Sequence, residues 1–452
     1  MRASWLLIVA CLWPRMAEAQ TRSLADLPAE TVTLPNGLRV VLAPDALARM
    51  VSVEVDYSAG AADDPDGLHG LAHFTEHLTY VRTAHAARLL GLLYASGATA
   101  VQGTTSTDAT TYAETVPRER LDIALWLESE RMGYAASAVT EVAVKTERAV
   151  IVNELRLPSL VGEIDQAVAR ALFPPWHPYA FRHPTDDDLG SIHAADVQAF
   201  MRTWYVPSNA VLVLAGRFDR AEALAKVVKY FGAIPAGVAP GRPTLPVSTP
   251  VPATITAMMW GNAGRASFFW RTPAFGTADD HVLDVVARLL AGSPNNILTP
   301  ALVAPGLATQ VAARQASKRE GSTFVVTAVV PRTTTVSHVA DEAATALAKL
   351  ALGPSAIDLD SAKVGLRTSI LSELETTWGR ATRLASLAQT GRLPGPGFDW
   401  GIHDYDAIEA ADVTRVAKAW LGREHRVTEL VYANAAVGGT TVTVTATPQG
   451  SP

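Results

Sequence analysis

The stretch Val51-Ser52-Val53-Glu54-Val55-Asp56-Tyr57 alternates apolar and polar side chains with a period of two, the pattern of a strand with one face in a core and the other in water. Upstream, Thr31 to Val41 carries two apolar runs around the turn sequence Pro35-Asn36-Gly37 and predicts a hairpin. Beyond the strand the period lengthens to that of helices. One is expected after the Gly67/Gly70 turn, a second over 84–93, an amphipathic third over 118–132 around Leu121, Leu125 and Trp126, and a fourth over 139–157. Strands joined by short turns and followed by helices indicate an α+β fold, a mostly antiparallel sheet with helices packed on it.

The pattern occurs twice. Ile192-His193-Ala194-Ala195-Asp196-Val197, followed by Trp204, returns as Ile408-Glu409-Ala410-Ala411-Asp412-Val413, followed by Trp420, at an offset of 216. The same offset carries Gly60-Ala61-Ala62-Asp63-Asp64 onto Gly276-Thr277-Ala278-Asp279-Asp280. Two segments sharing one offset imply a duplicated domain. Pro235, Pro240, Pro243, Pro246, Pro250 and Pro252 mark an extended linker over 236–252, so the homologous domains are expected at 20–235 and 253–446, with a tail at 447–452.

Residues 1–19 read as an export signal: Arg2, the apolar run Trp5 to Trp13, and Ala17-Glu18-Ala19 as a small-x-small cleavage site. The apolar run is too short to cross a bilayer, so no membrane span is expected. Ile8-Val9-Ala10-Cys11 also has the form of a lipoprotein cleavage box, but the apolar run ahead of it is short, so a periplasmic protein is expected over one anchored by lipid at Cys11. The 452 residues, 48% hydrophobic and 18% charged, suffice for two or three domains with substantial cores. Without Arg2, Arg15 and Glu18 the chain carries 36 basic and 43 acidic residues, a net charge of −7, which excludes an electrostatic nucleic-acid binder. With Cys11 removed it has no cysteine, so any metal must rely on nitrogen and oxygen ligands.

The chemistry is concentrated in His73-Phe74-Thr75-Glu76-His77. On a helix, residues four apart share a face, so His73 and His77 can offer imidazole nitrogens to one ion while Glu76 stands beside it as a base. A hydrolytic zinc takes three protein ligands and leaves a fourth position to water. Glu147 and Glu154, seven apart in the fourth helix, are the candidates for the third; one can ligate while the other supports. His69 follows an Asp-Pro-Asp-Gly turn and reads as a loop residue.

These residues resemble the pitrilysin/insulinase zinc peptidases with the inverted motif, a family that includes the mitochondrial processing peptidase. The resemblance rests on Gly70-Leu71-Ala72-His73-Phe74-Thr75-Glu76-His77-Leu78, on Glu154 seventy-seven residues after His77, on Glu147 seven before that, and on Thr105 to Tyr112, His177-Pro178-Tyr179 and Trp204 to Asn209. It implies a single Zn2+ per chain held by His73, His77 and Glu154, with Glu76 as the general base and Glu147 orienting a ligand. It also implies that a peptide substrate adds as a strand beside Ala100-Val101-Gln102-Gly103-Thr104, where Gln102-Gly103 replaces the family's usual Asn-Ala. At the offset of 216, His73, Glu76, His77, Glu147 and Glu154 fall on Leu289, Gly292, Ser293, Lys363 and Ile370, so the second domain cannot hold the metal.

A further departure lies at Leu302 and Thr309, where active single-chain relatives carry an arginine and a tyrosine that hold the substrate and its oxyanion. The expectation is therefore a zinc endopeptidase subunit, the metal-bearing half of a heterodimer whose homologous partner lacks zinc ligands and supplies the arginine and tyrosine. The alternatives are a non-catalytic structural or binding subunit and a self-sufficient homodimeric peptidase.

Overall fold

Two sheets of six strands carry the molecule, and they share one arrangement. In the computed structural model, residues 24–434 and 445–448 are described, apart from 157–158, 181–183, 239, 243, 247–249, 251 and 294. The leader-like segment 1–19, including Cys11, lies outside the described residues. The first sheet contains β1 (Glu30–Thr33), β2 (Arg39–Pro44), β3 (Met50–Tyr57), β4 (Thr99–Thr105), β5 (Thr110–Pro117) and β6 (Ala210–Gly216), in the order β1-β2-β6-β3-β5-β4. The second contains β7 (Ala253–Trp260), β8 (Ala263–Thr272), β9 (Gln310–Ala316), β10 (Ser322–Pro331), β11 (Val427–Asn434) and β12 (Thr445–Pro448), in the order β12-β7-β11-β8-β10-β9. Both are antiparallel except for one parallel pair each, β2 with β6 and β7 with β11. The expected α+β class with two mostly antiparallel sheets is therefore the observed one. Residues 447 and 448, assigned above to a tail, belong to β12.

The duplicated sequence strings have a local physical meaning. Each opens an 11-residue helix, Ala194–Trp204 or Ala410–Trp420, and in each the aspartate at the third helical position accepts from the backbone amide of the capping residue. His193 N donates to Asp196 at 2.8 Å and Glu409 N to Asp412 at 3.0 Å, satisfying amides that a helix start leaves open.

The first half contributes α1 (Leu71–Val81), α2 (Leu89–Ala95), α3 (Leu121–Tyr134), α4 (Glu141–Arg156) and α5 (Ser159–Leu172). The expected helix over 84–93 is shorter at its start. Thr83 and Ala86 close a tight turn and Arg88 adopts a left-handed φ of 58°, which postpones the helix to Leu89.

The alternation in β3 has a different cause from the one expected. Ser52, Glu54 and Asp56 are 1, 3 and 2% exposed, so the polar face is not in water. It is covered by the helix Thr377–Gln389 from the second half: Ser52 Oγ meets Thr377 Oγ1 at 2.8 Å, Thr382 Oγ1 donates to Glu54 at 3.1 Å, and Gln389 Nε2 donates to Asp56 at 2.6 Å. Arg380 on that helix forms a buried ion pair with Asp45 at 2.7 Å. Ala381, Leu384, Ala385 and Ala388 add an apolar seam against Val41, Ala43, Val213 and Ala215. The exchange is reciprocal, since Val168 and Leu172 of α5 pack on Ile255 and Val427 of the second sheet. Each half thus closes the other's sheet.

Burial, with Asp56 adjacent, drives the Glu54 carboxyl up to about 8. A carboxyl whose pKa rises on folding contributes stability that is complete below its unfolded value, near 4.5, and lost as pH climbs through about 8. Glu54→Gln keeps an acceptor for Thr382 without the charge. It is expected to be more stable than the parent by roughly 2–5 kcal/mol at about pH 9 and nearly equal to it near pH 4.5. Urea melts at the two pH values check this; an equal difference at both would contradict it.

Candidate metal centre

The site is built on α1, and α1 is fixed at its start. Gly70 enters the helix with φ of 93°, and the half-buried Asp64 carboxylate accepts from Gly70 N at 2.7 Å and from Ala72 N at 2.8 Å. A carboxylate on the first amides of a helix satisfies donors and complements the helix dipole. Phe74 and Leu78 anchor the opposite face in the core of the first half. His73 and His77 are left on the face turned toward α4, their rings edge to face with centroids 4.8 Å apart.

Glu147 and Glu154, two turns apart on α4, divide their roles by distance. Glu154 Oε2 lies 3.3 Å from His77 Nε2 and 3.9 Å from His73 Nε2. Glu147 Oε2 lies 3.4 Å from His77 Nδ1, on the far side of that ring. The contact suits a proton on Nδ1, which leaves Nε2 bare toward Glu154. The donor atoms of His73, His77 and Glu154 all lie within 4.8 Å of one another, and they form the one cluster of metal-ligand type among the described residues. Two imidazoles and one carboxylate are a donor set suited to zinc with an open fourth position. Burial, and then His77, lower the His73 pKa, which favours the neutral imidazole that ligates.

Glu76 faces the other way. Its carboxylate is buried and Oε2 accepts from Thr105 Oγ1 at 2.7 Å, at the end of β4. β4 is an edge strand, with Gln102 and Thr104 exposed and Val101 and Gly103 turned inward. Ala100 has φ of 51° and the register with β5 shifts between Thr99 and Gln102, so the regular edge is Gln102 to Thr105. A Cβ on Gly103 would lie 2.6 Å from the Tyr80 ring, 2.7 Å from its hydroxyl and 2.8 Å from Glu76 Oε1. The strand backbone therefore rests directly on Tyr80 and Glu76, which explains why residue 103 carries no side chain. Beneath, the buried Arg131 guanidinium pairs with Glu128 and sits 4.9 Å from the Tyr80 ring and 4.0 Å from that of Tyr112.

A cavity of about 880 Å3 opens beside the triad, lined by His73, Thr105 and Thr107 on one side and by Phe269, Arg314 and Lys318 on the other. Asp108 ties its two walls: it accepts from Tyr179 Oη at 2.5 Å and from the Arg319 amide at 2.9 Å. His177 Nδ1 accepts from the Tyr179 amide at 3.0 Å and Nε2 lies 3.3 Å from the Glu320 carbonyl, so the His-Pro-Tyr segment is a joint between the halves. Leu302 is buried in the second core and the Thr309 hydroxyl faces the Val329 carbonyl. Asp64 and the constraint at Gly103 were absent from the sequence reading of the site, and Thr105 entered it only within a family-matching segment, not as a partner of Glu76. An Asp-x-x-x-x-x-Gly step into the motif helix is the one signal that pointed to the first.

Comparison with known proteins bears on this arrangement. Residues 39–160 match the family model described as insulinase (peptidase family M16), and residues 191–366 match that described as the peptidase M16 inactive domain. The zinc protease PqqE of Helicobacter pylori is 25% identical over 86% of this chain and 90% of its own length. The mitochondrial-processing peptidase subunit beta of Blastocladiella emersonii is 24% identical over 88% of each chain. Among solved structures, a protease from Helicobacter pylori superposes with a TM-score of 0.80 at 23% identity, covering 90% of this chain and 100% of its own.

Loss of the Glu147 carboxylate, in Glu147→Ala, should weaken zinc binding by about 10- to 100-fold while leaving the fold intact. Competition with a chromophoric chelator measures it; a change within about twofold would reduce Glu147 to an ordinary helix carboxylate.

Proposed function

The chain belongs to the insulinase family of peptidases, peptidase family M16, and from that premise we propose that it is the metal-bearing subunit of a zinc endopeptidase acting on oligopeptides or unfolded segments. One observation carries the reading: three donor atoms of metal-ligand type converge between α1 and α4 while Glu76, from the same helix, lies under the open edge of β4. His73, His77 and Glu154 would hold the ion, with Glu147 orienting His77. Bound there, zinc supplies a Lewis acid for the peptide carbonyl and lowers the pKa of a water to about 7.

The chain's own groups do the remaining work. Glu76 takes a proton from the attacking water and passes it to the leaving amine, a shuttle suited to a carboxylate once the water is acidified. Thr105 holds Oε2 through its hydroxyl, which fixes the carboxylate and leaves Oε1 for the proton. An extended peptide pairing with the edge of β4 would lie across Gly103, directly over Glu76, and main-chain pairing tolerates many sequences.

The carbonyl oxygen needs donors as its charge develops. Neither the buried Leu302 nor Thr309 offers one, so the proposed complex contains a homologous subunit, without zinc ligands, that supplies an arginine and a tyrosine. Residues 20–235 form the proposed zinc-binding domain and 253–446 its metal-free homologue. The leader-like residues 1–19 support export, with a periplasm as the proposed location.

Glu76→Gln should retain zinc and lose about 10²- to 10⁴-fold in turnover of a quenched-fluorescence peptide library by the complex. Near-normal turnover would mean that Glu76 is not the base. Gly103→Ala should lower turnover by at least about tenfold at unchanged zinc affinity, because the added carbon displaces Glu76 or Tyr80. Parent-like kinetics in that variant would show that the contact under β4 is not tight.

A further inference from the structure

The second wall of the cavity holds two cations without a direct ion-pair partner among the described residues. Arg314 is exposed on the edge strand β9, opposite Val325 of β10, and Lys318 follows in the turn to β10, its ammonium 5.1 Å from the Tyr179 ring centroid. Among the described residues, neither side chain makes a hydrogen bond or an ion pair. Of the carboxylates in and beside the cavity, Asp63 pairs with Arg242, Asp108 with Tyr179 and Arg319, Glu320 with Arg319, and Asp64 with the first amides of α1, while Asp66 lines the far rim beside His69. Asp165 of α5 lines the same space without a direct ion pair to either cation; burial raises its pKa, and Arg265 and more weakly Arg314 lower it. His177, its pKa pushed down to about 4 by burial and by Arg271, is neutral and contributes no charge of its own.

Two like charges set side by side in a partly enclosed space repel each other, and the arrangement is relieved by an anion between them. Burial lowers the Lys318 pKa, Asp108 opposes it, and Arg314 adds a smaller lowering. The same cavity begins at His73 and Thr105, and Ser106 and Thr107 carry its rim onward from the end of β4. A peptide laid along β4 therefore runs into the space that Lys318 and Arg314 face.

On the peptidase reading above, we propose that Lys318 and Arg314 form an anion subsite that receives a carboxylate of the peptide substrate, either an acidic side chain or the free C-terminus. The chain would then prefer acidic or carboxyl-terminated peptides. Its second half, though without metal ligands, would supply substrate selection.

Binding tests this apart from hydrolysis. Zinc-loaded Glu76→Gln protein, with any subunit that co-purifies, is titrated with fluorescein-labelled peptides by anisotropy. The set comprises a neutral amidated peptide, the same peptide with a free C-terminus, and amidated versions carrying glutamate, glutamine or lysine at successive positions. At least one carboxylate-bearing peptide is expected to bind about tenfold tighter than its neutral isostere. The advantage should fall to about onefold when Lys318→Met is added and invert in favour of lysine-bearing peptides with Lys318→Glu. Thermal melts of each variant confirm an unaltered fold. An advantage for the free C-terminus alone identifies the peptide end as the occupant, and one for glutamate identifies a side chain; both support the subsite. Equal binding of acidic and neutral peptides, or a preference that survives Lys318→Met and Arg314→Gln together, overturns it. Acid-selective binding beside a zinc-loaded parent that cleaves none of the peptides even when joined to its homologous subunit would sink the peptidase reading and leave the subsite standing.

Discussion

The register between α1 and α4 governs what this chain can do. Imidazoles four residues apart reach one point only if the carboxylate of Glu154 arrives from the facing helix, and the 3.3 Å and 3.9 Å separations record that arrival. The two turns of α4 between Glu147 and Glu154 let one carboxylate face the ligand nitrogens while the other meets the back of the His77 ring. Asp64 holds α1 at its first amides and Arg131 supports the tyrosines beneath β4, so the donors are set by packed elements and not by loops.

That register is protected by an exchange between the halves. The helix Thr377–Gln389 covers the polar face of β3 and α5 covers the second sheet, so neither sheet is closed by its own half alone. Buried polar groups on β3 are acceptable because each finds a partner on the incoming helix. The same exchange holds β9 and its turn against the loop after β4, where Asp108 links Tyr179 and Arg319, and it sets the cavity beside the triad. Groups lining that cavity thus come from both halves, although the cluster of metal-ligand type comes from the first.

What could be read from the chain follows the range of the interactions involved. The spacing of His73, Glu76 and His77 is local to one helix, and Glu147 with Glu154 to another, so periodicity alone placed them on shared faces. The 216-residue offset found the duplication because helix capping repeats in short strings. The alternation in β3 misled, since Ser52, Glu54 and Asp56 are polar in order to bond Thr377, Thr382 and Gln389, which lie more than three hundred residues away. Gly103 read as a departure from the family's pattern because the sequence does not reveal that Tyr80 and Glu76 occupy the place of its side chain. Leu302 and Thr309 were legible as missing donors, but the cations at Arg314 and Lys318 were not singled out, since only folding brings β9 to the cavity.

The most direct test of the metal centre is X-ray absorption spectroscopy on the purified, zinc-loaded chain, with zinc quantified per chain. The account predicts one tightly held zinc with two imidazole nitrogens and carboxylate and water oxygens at about 2.0–2.2 Å, and loss of one imidazole in His77→Ala. A substoichiometric ion, or a shell without imidazole, would contradict the assignment of His73, His77 and Glu154 as its ligands.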